Sequence, residues 1–145
     1  MRKGVGMDKR TINEHYAEIG SQLIQEEECL TDIANSQATI IYLSSEHEKK
    51  ASGKTVHAEC EKITEKYKWG IPCDFTITVF EPNVEGFTEE QLKTLLLHEL
   101  LHIKIDFNDD GSETYGTNPH DLEDFKLIID RYGTDWSRVN GNNQD

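Results

Sequence analysis

The sequence predicts a small α+β domain: a sheet of about three strands packed on an N-terminal helix, a central apolar helix and a C-terminal helix. Three observations predict it. Residues 74–80, DFTITVF, alternate strictly, with Phe75, Ile77 and Val79 on one face and Thr76 and Thr78 on the other. Two segments, from Ile12 to about Cys29 and from Pro119 to Tyr132, repeat apolar residues at helical spacing. Between them, QLKTLLLHELLHI is apolar on most sides, as a buried helix is.

The elements follow in order. Ile12, Tyr16, Ile19, Leu23 and Ile24 define the first amphipathic helix. Residues 38–43, ATIIYL, are short and rich in β-branched side chains, and read as a strand. A weaker strand is expected around residues 55–60, and the best one at residues 74–80, ended by Glu81-Pro82-Asn83 because proline cannot continue a ladder. Thr88 and Gln91 stand at capping-box spacing and open the central helix, which runs to about Ile103. Residues 108–118, dense in Asp, Gly, Ser and Asn, read as a loop. Asn118-Pro119 has the form of an N-cap with proline at the first helical position, so the last helix starts there, with Leu122, Phe125, Ile128, Ile129 and Tyr132 inward.

Composition narrows the function. A chain of 145 residues holds one domain, read as residues 11–137 with ends at 1–10 and 138–145. Fifteen basic against 28 acidic side chains leave a net charge of −13, which repels phosphates, so no nucleic acid partner is expected. The imbalance is concentrated: residues 1–80 carry 10 basic and 13 acidic groups, residues 81–145 carry 5 and 15. No membrane span is expected, since no run of about 18 apolar residues exists, and MRKGVGMDKR lacks the apolar stretch of a secretory signal. Three cysteines, Cys29, Cys60 and Cys73, fit neither a disulfide framework nor a cysteine zinc knuckle, and point to a reducing cytoplasm.

The chemistry is concentrated in His98-Glu99-Leu100-Leu101-His102. Histidines four apart on a helix stack one turn above each other, so two imidazoles reach one ion, while Glu99 can contact a water held on it. A catalytic zinc takes three protein ligands and keeps one position open. His120 is the leading third ligand, Glu123 and Asp124 are alternatives, and Asp121 is placed to orient a ligand histidine. His15, His47 and His57 lack partners at ligand spacing and read as surface residues. Ser52-Gly53-Lys54-Thr55 has the tail of a phosphate loop, but Glu48 stands where its first glycine is required. Asn108-Asp109-Asp110-Gly111 has the wrong downstream spacing for a calcium loop, and Glu26-Glu27-Glu28 reads as a solvated helix end.

HELLHI followed by NPHDLEDF resembles the small metallopeptidases encoded mainly by phages and prophages. The similarity runs through IGSQLI, IIYL, GKTVHAE, DFTITVF and DLEDFKLIIDRYGTDW, and so covers most of residues 19–136. It implies a minimal zincin-like fold, similar in general plan to SprT-type zinc proteases. In that pattern His98, His102 and His120 are metal ligands and Glu99 the general base. It also implies that an extended peptide lies along the strand before the motif helix, here the one from Asp74 to Phe80.

The expected activity is therefore zinc-dependent hydrolysis of a peptide bond in a peptide or protein substrate, inside a bacterial host cell. Tyr115 is a candidate for stabilising the oxyanion. The competing expectation is an acidic protein that blocks a host partner and holds a structural metal. A cell-wall amidohydrolase is disfavoured, because such enzymes act outside the cytoplasm.

Overall fold

A computed structural model describes residues 9–119, 126–133, 136 and 137. The chain enters through a short strand, β1 (Arg10–Ile12), and turns at once into helix α1 (Glu14–Glu26). A 3-10 turn leads to α2 (Thr31–Asn35) and then to β2 (Ile40–Ser45). A small hairpin, β3 (Lys50–Ala51) and β4 (Lys54–Thr55), precedes β5 (Ala58–Lys62) and β6 (Phe75–Phe80). Helix α3 (Glu89–Leu100) is followed by a second hairpin, β7 (Ile103–Phe107) and β8 (Glu113–Thr117), and by α4 (Lys126–Tyr132). The class is α+β, with four α-helices among the described residues, none long and apolar enough to cross a membrane.

Among the described residues the main sheet has four strands rather than about three, in the order β1-β2-β6-β5. The extra strand comes from Ile12, whose spacing fits the first helix. In the structure Ile12 pairs with Leu43 and stays 62% exposed, while Asn13 caps α1 by accepting the Tyr16 N–H at 2.9 Å. The helix therefore starts two residues after Ile12, and Tyr16, Ile19, Gly20 and Leu23 form its buried face. One carboxylate joins three elements here: Glu81, just after β6, accepts from the Tyr16 hydroxyl and from the Ser44 hydroxyl, both at 2.7 Å.

β6 is parallel to β2 and antiparallel to β5, and all six of its residues are buried. The expectation that this strand is a peptide-binding edge is corrected by that pairing: both of its edges are already hydrogen-bonded, and among the described residues the outer strands of the sheet are β1 and β5. Alternation along residues 74–80 marks two faces but carries no information about neighbours.

Helix α3 begins as its capping box requires. The Thr88 hydroxyl accepts from the Gln91 N–H at 3.1 Å, and the Gln91 side chain accepts from the Thr88 N–H at 2.8 Å. Leu95, Leu96, Leu97 and Leu100 are at most 2% exposed and join Phe75, Ile77 and Val79, Tyr42, Ile19, Leu23 and Ile128 in one core. The helix stops at Leu100, short of Ile103, and the expected loop at 108–118 is a five-residue turn plus strand β8. Ser112 donates its N–H and hydroxyl to Asp110, and Gly111 takes a φ of +91°, so the Asp/Gly/Ser density belongs to a tight turn. Of the last helix, α4 lies within the described residues; its expected start at Pro119, with Leu122 and Phe125, lies outside them or at their border.

At Gly20, α1 lies directly against the Tyr42 side chain of β2. A β-carbon there would lie 2.1 Å from the Tyr42 hydroxyl oxygen. That oxygen is buried with no hydrogen-bond partner among the described residues. Two opposite outcomes are expected in denaturant titrations. Gly20→Ala overpacks the contact and costs about 1–3 kcal/mol. Tyr42→Phe deletes an unsatisfied group and leaves stability unchanged or higher; a marked loss would show that the hydroxyl is satisfied.

Candidate active site

Helix α3 carries His98 and Glu99 in its last turn, and His102 follows one residue after the C-cap Leu101. Leucines at 95, 96, 97 and 100 pin this turn to the core, which leaves the motif face toward β5. The two imidazoles come together edge-on, ring centroids 5.2 Å apart. Glu99 is 4% exposed, and its Oε2 lies 4.0 Å from His98 Nε2. All three side chains line a cleft of about 450 Å³. Ala58, Glu59 and Cys60 of β5 form one wall, and Thr117, Asn118 and Pro119 form the other.

His102 is held from behind. Its Nδ1 lies 2.8 Å from the main-chain oxygen of Asn118. A carbonyl oxygen only accepts, so in the neutral ring Nδ1 carries the proton and Nε2 the lone pair. The Asn118 N–H in turn donates to the His102 carbonyl at 2.6 Å, which makes this pair one more rung of the β7–β8 ladder beyond Ile103 and Thr117. Sequence reasoning treats Asn118 only as the cap of the following helix and misses this role. The signal that could have found it is local: Asn118 stands two residues before His120, and its partner is decided by the hairpin register.

Two other residues of the site are not legible as such in the sequence. Cys60 faces the cleft, and burial, then the nearby Glu99 and Glu61 carboxylates, push its thiol up, so it is protonated at neutral pH and is not a resting thiolate. The Trp136 ring lies tilted beside His98, centroids 6.2 Å apart, and its carbonyl accepts from the Gln91 side chain at 3.0 Å. Nothing in a lone tryptophan after a helix distinguishes such a neighbour from a core aromatic.

The remaining candidates sort cleanly. His120, Asp121, Glu123 and Asp124 lie outside the described residues, and among those described no three His, Cys, Asp or Glu side chains gather as a metal-binding group. Tyr115 does not line the cleft: its hydroxyl donates to Glu113 at 2.6 Å and its ring packs on Phe75. His15 is exposed and pairs with Glu89, and His47 is exposed. His57, expected at the surface, is half-buried against the Phe87 ring. Ser52 and Gly53, both at positive φ, form the tip of the β3–β4 hairpin. Glu27 reaches Arg131 of α4 at 2.8 Å, so the acidic run is tied to the fold at that position.

A family model described as "Putative phage metallopeptidase" matches residues 9–142, nearly the whole chain. No curated protein and no solved structure matches.

Burial also sets a pH dependence. Desolvation holds the His57 imidazole below its ordinary 6.5, so the folded protein resists a proton that the unfolded chain accepts. The stability this contributes is full above about pH 6.5 and is lost as pH falls toward the lowered value. His57→Phe is therefore expected to flatten the stability profile below about pH 6.5, measured by thermal melts. An unchanged slope would assign that pH dependence to other groups.

Proposed function

This chain belongs to the phage metallopeptidase family, and from that premise we propose that it is a zinc-dependent peptidase of minimal zincin type. The observation that carries the reading is the meeting of two imidazoles, 5.2 Å between centroids, with a buried carboxylate in one cleft. The donor chemistry fits zinc: neutral nitrogen ligands, one of them with its second nitrogen engaged by a carbonyl so that Nε2 presents its lone pair.

His98 and His102 are the first two ligands and His120 the third. His120 follows Asn118 by two residues, a reach of at most about 7 Å, and Asn118 is bonded to His102. Glu123 and Asp124 are the alternative third ligands. These residues would hold the ion, which would supply Lewis acidity, lowering the pKa of a water molecule and polarising the scissile carbonyl. Glu99 takes a proton from the attacking water and returns it to the departing amine as the C–N bond breaks. Its burial keeps the carboxylate in one orientation beside the imidazoles, where the transferred proton is not lost to bulk solvent.

The substrate is a peptide or a protein loop added to the free edge of β5. The hydrogen bonds from Phe80 N–H to His57 and from Ile63 N–H to Asp74 fix the phase of the β5–β6 ladder. Odd-numbered residues of β5 turn their backbone groups toward β6; Ala58, Cys60 and Lys62 turn theirs to the open edge. Ala58 and Cys60 also line the cleft, so a strand paired there runs past His98 and Glu99. The three cysteines are unpaired, in keeping with action inside a host cytoplasm.

Metal analysis and peptidase assays test this together. The wild-type chain is expected to hold about one zinc, as a single three-ligand site does. Glu99→Gln should keep the zinc and lose hydrolysis of an unfolded protein such as casein by roughly 10²–10⁴-fold. His120→Ala should lose the metal. Retained hydrolysis in Glu99→Gln overturns the mechanism, and a metal-free wild type after zinc addition leaves an acidic binding protein as the better description.

A further inference from the structure

We propose that Asn118 is the positioning residue of the metal centre, fixing the ring of His102 and the turn that carries it. The inference rests on the metallopeptidase reading and names what holds its geometry.

Four contacts converge on this one residue. Its carbonyl accepts from His102 Nδ1 at 2.8 Å. Its N–H donates to the His102 carbonyl at 2.6 Å. Its side-chain amide reaches the carbonyl oxygens of Leu101 and Ile103, at 3.3 and 3.4 Å. The first pair locks the imidazole. The second pair occupies carbonyls at the point where α3 has ended and β7 begins, where helical partners have run out. An isolated turn at that place frays, and a ring carried on it rotates about χ1 and χ2. Asparagine suits the position because it offers two N–H groups from one short side chain, while its main chain remains a ladder rung.

The β7–β8 hairpin supplies the register. Its rungs pair Ile103 with Thr117 and continue to His102 with Asn118. The tight turn at 108–112 sets the ladder phase, so the hairpin brings Asn118 opposite the second ligand, and the chain then passes directly to Pro119 and His120. Asn118 thus joins the end of the motif helix to the last rung of the β7–β8 hairpin.

The test uses the full-length chain and zinc alone as probe, with no reliance on turnover. Asn118→Ala keeps the main-chain bonds to His102 and deletes the side-chain bonds to Leu101 and Ile103 that hold the turn. It is expected to weaken zinc about 10-fold in competition with a chelator, the low end of the range for disturbing a partner behind a ligand. Asn118→Ser, whose hydroxyl still donates to one of the two carbonyls, should fall between. Lys104→Ala, on the same hairpin and exposed, should stay within about twofold of wild type. In the zinc-free protein, ¹⁵N shifts of His102 should report a proton fixed on Nδ1 in the wild type and an averaged ring in Asn118→Ala. Wild-type affinity together with a wild-type ¹⁵N pattern in Asn118→Ala overturns the proposal, as does weakening of the same size in Lys104→Ala. A wild type that keeps the Nδ1-protonated ring yet binds no zinc overturns the metallopeptidase reading and leaves the ring-holding role standing. Should Asn118→Ala fail to fold, Asn118→Ser carries the same comparison.

Discussion

Every side chain of β6 is buried and both of its edges are hydrogen-bonded, so the rest of the architecture is arranged around a strand with no free surface. Its inner face, Phe75, Ile77 and Val79, gives α3 a floor for Leu96, Leu97 and Leu100. Its outer face is polar, and Thr76 and Thr78 are buried all the same; the Arg10 guanidinium donates to the Thr78 hydroxyl at 2.9 Å, and Arg10 and Lys49 both lie over the Phe80 ring. Because β6 occupies the interior, β5 becomes the margin of the sheet on the cleft side. A buried strand thereby decides which backbone is left to meet a substrate.

The motif sits where two kinds of backbone order meet. His98 and Glu99 belong to a helix whose leucines are driven into the core, and burial of each leucine is worth about 1.5–3 kcal/mol. His102 belongs to the ladder of a hairpin. The two imidazoles are held by different forces, one by apolar packing of the helix and one by hydrogen bonds to Asn118. Such a division suits a metal site, because helix packing sets the depth of the centre and the rung sets the angle of its second ring.

The cleft carries carboxylates at its base and on its wall, Glu99 buried and Glu59 on β5, with Glu61 two residues further along that strand. Part of that charge is answered locally: Glu59 pairs with Lys49 and Arg10, and Arg10 also reaches Glu61. Among the described residues, the acidic groups of residues 81–145 other than Glu99 lie largely in exposed positions, in turns such as 106–110 and at helix starts such as Glu89 and Glu90. There it costs little desolvation and favours solubility.

The sequence by itself determined the α+β class, the alternating strand, the capped apolar helix and the HExxH spacing on it. Each of these is a local pattern: a period of two, a period near 3.6, or two hydrogen bonds within one turn. It misjudged the start of α1 because Ile12 happens to fit the helical period, and it lost β7 and β8 because a dense Asn/Asp/Gly/Ser turn masks two short strands on either side. Tertiary structure alone decided that β6 is interior and β5 the edge, that Asn118 stands behind His102, and that Cys60 and Trp136 flank the motif. These are pairings between segments remote in sequence, set by ladder register and by the packing of the sheet against α1 and α3, and no single stretch of chain encodes its own neighbour.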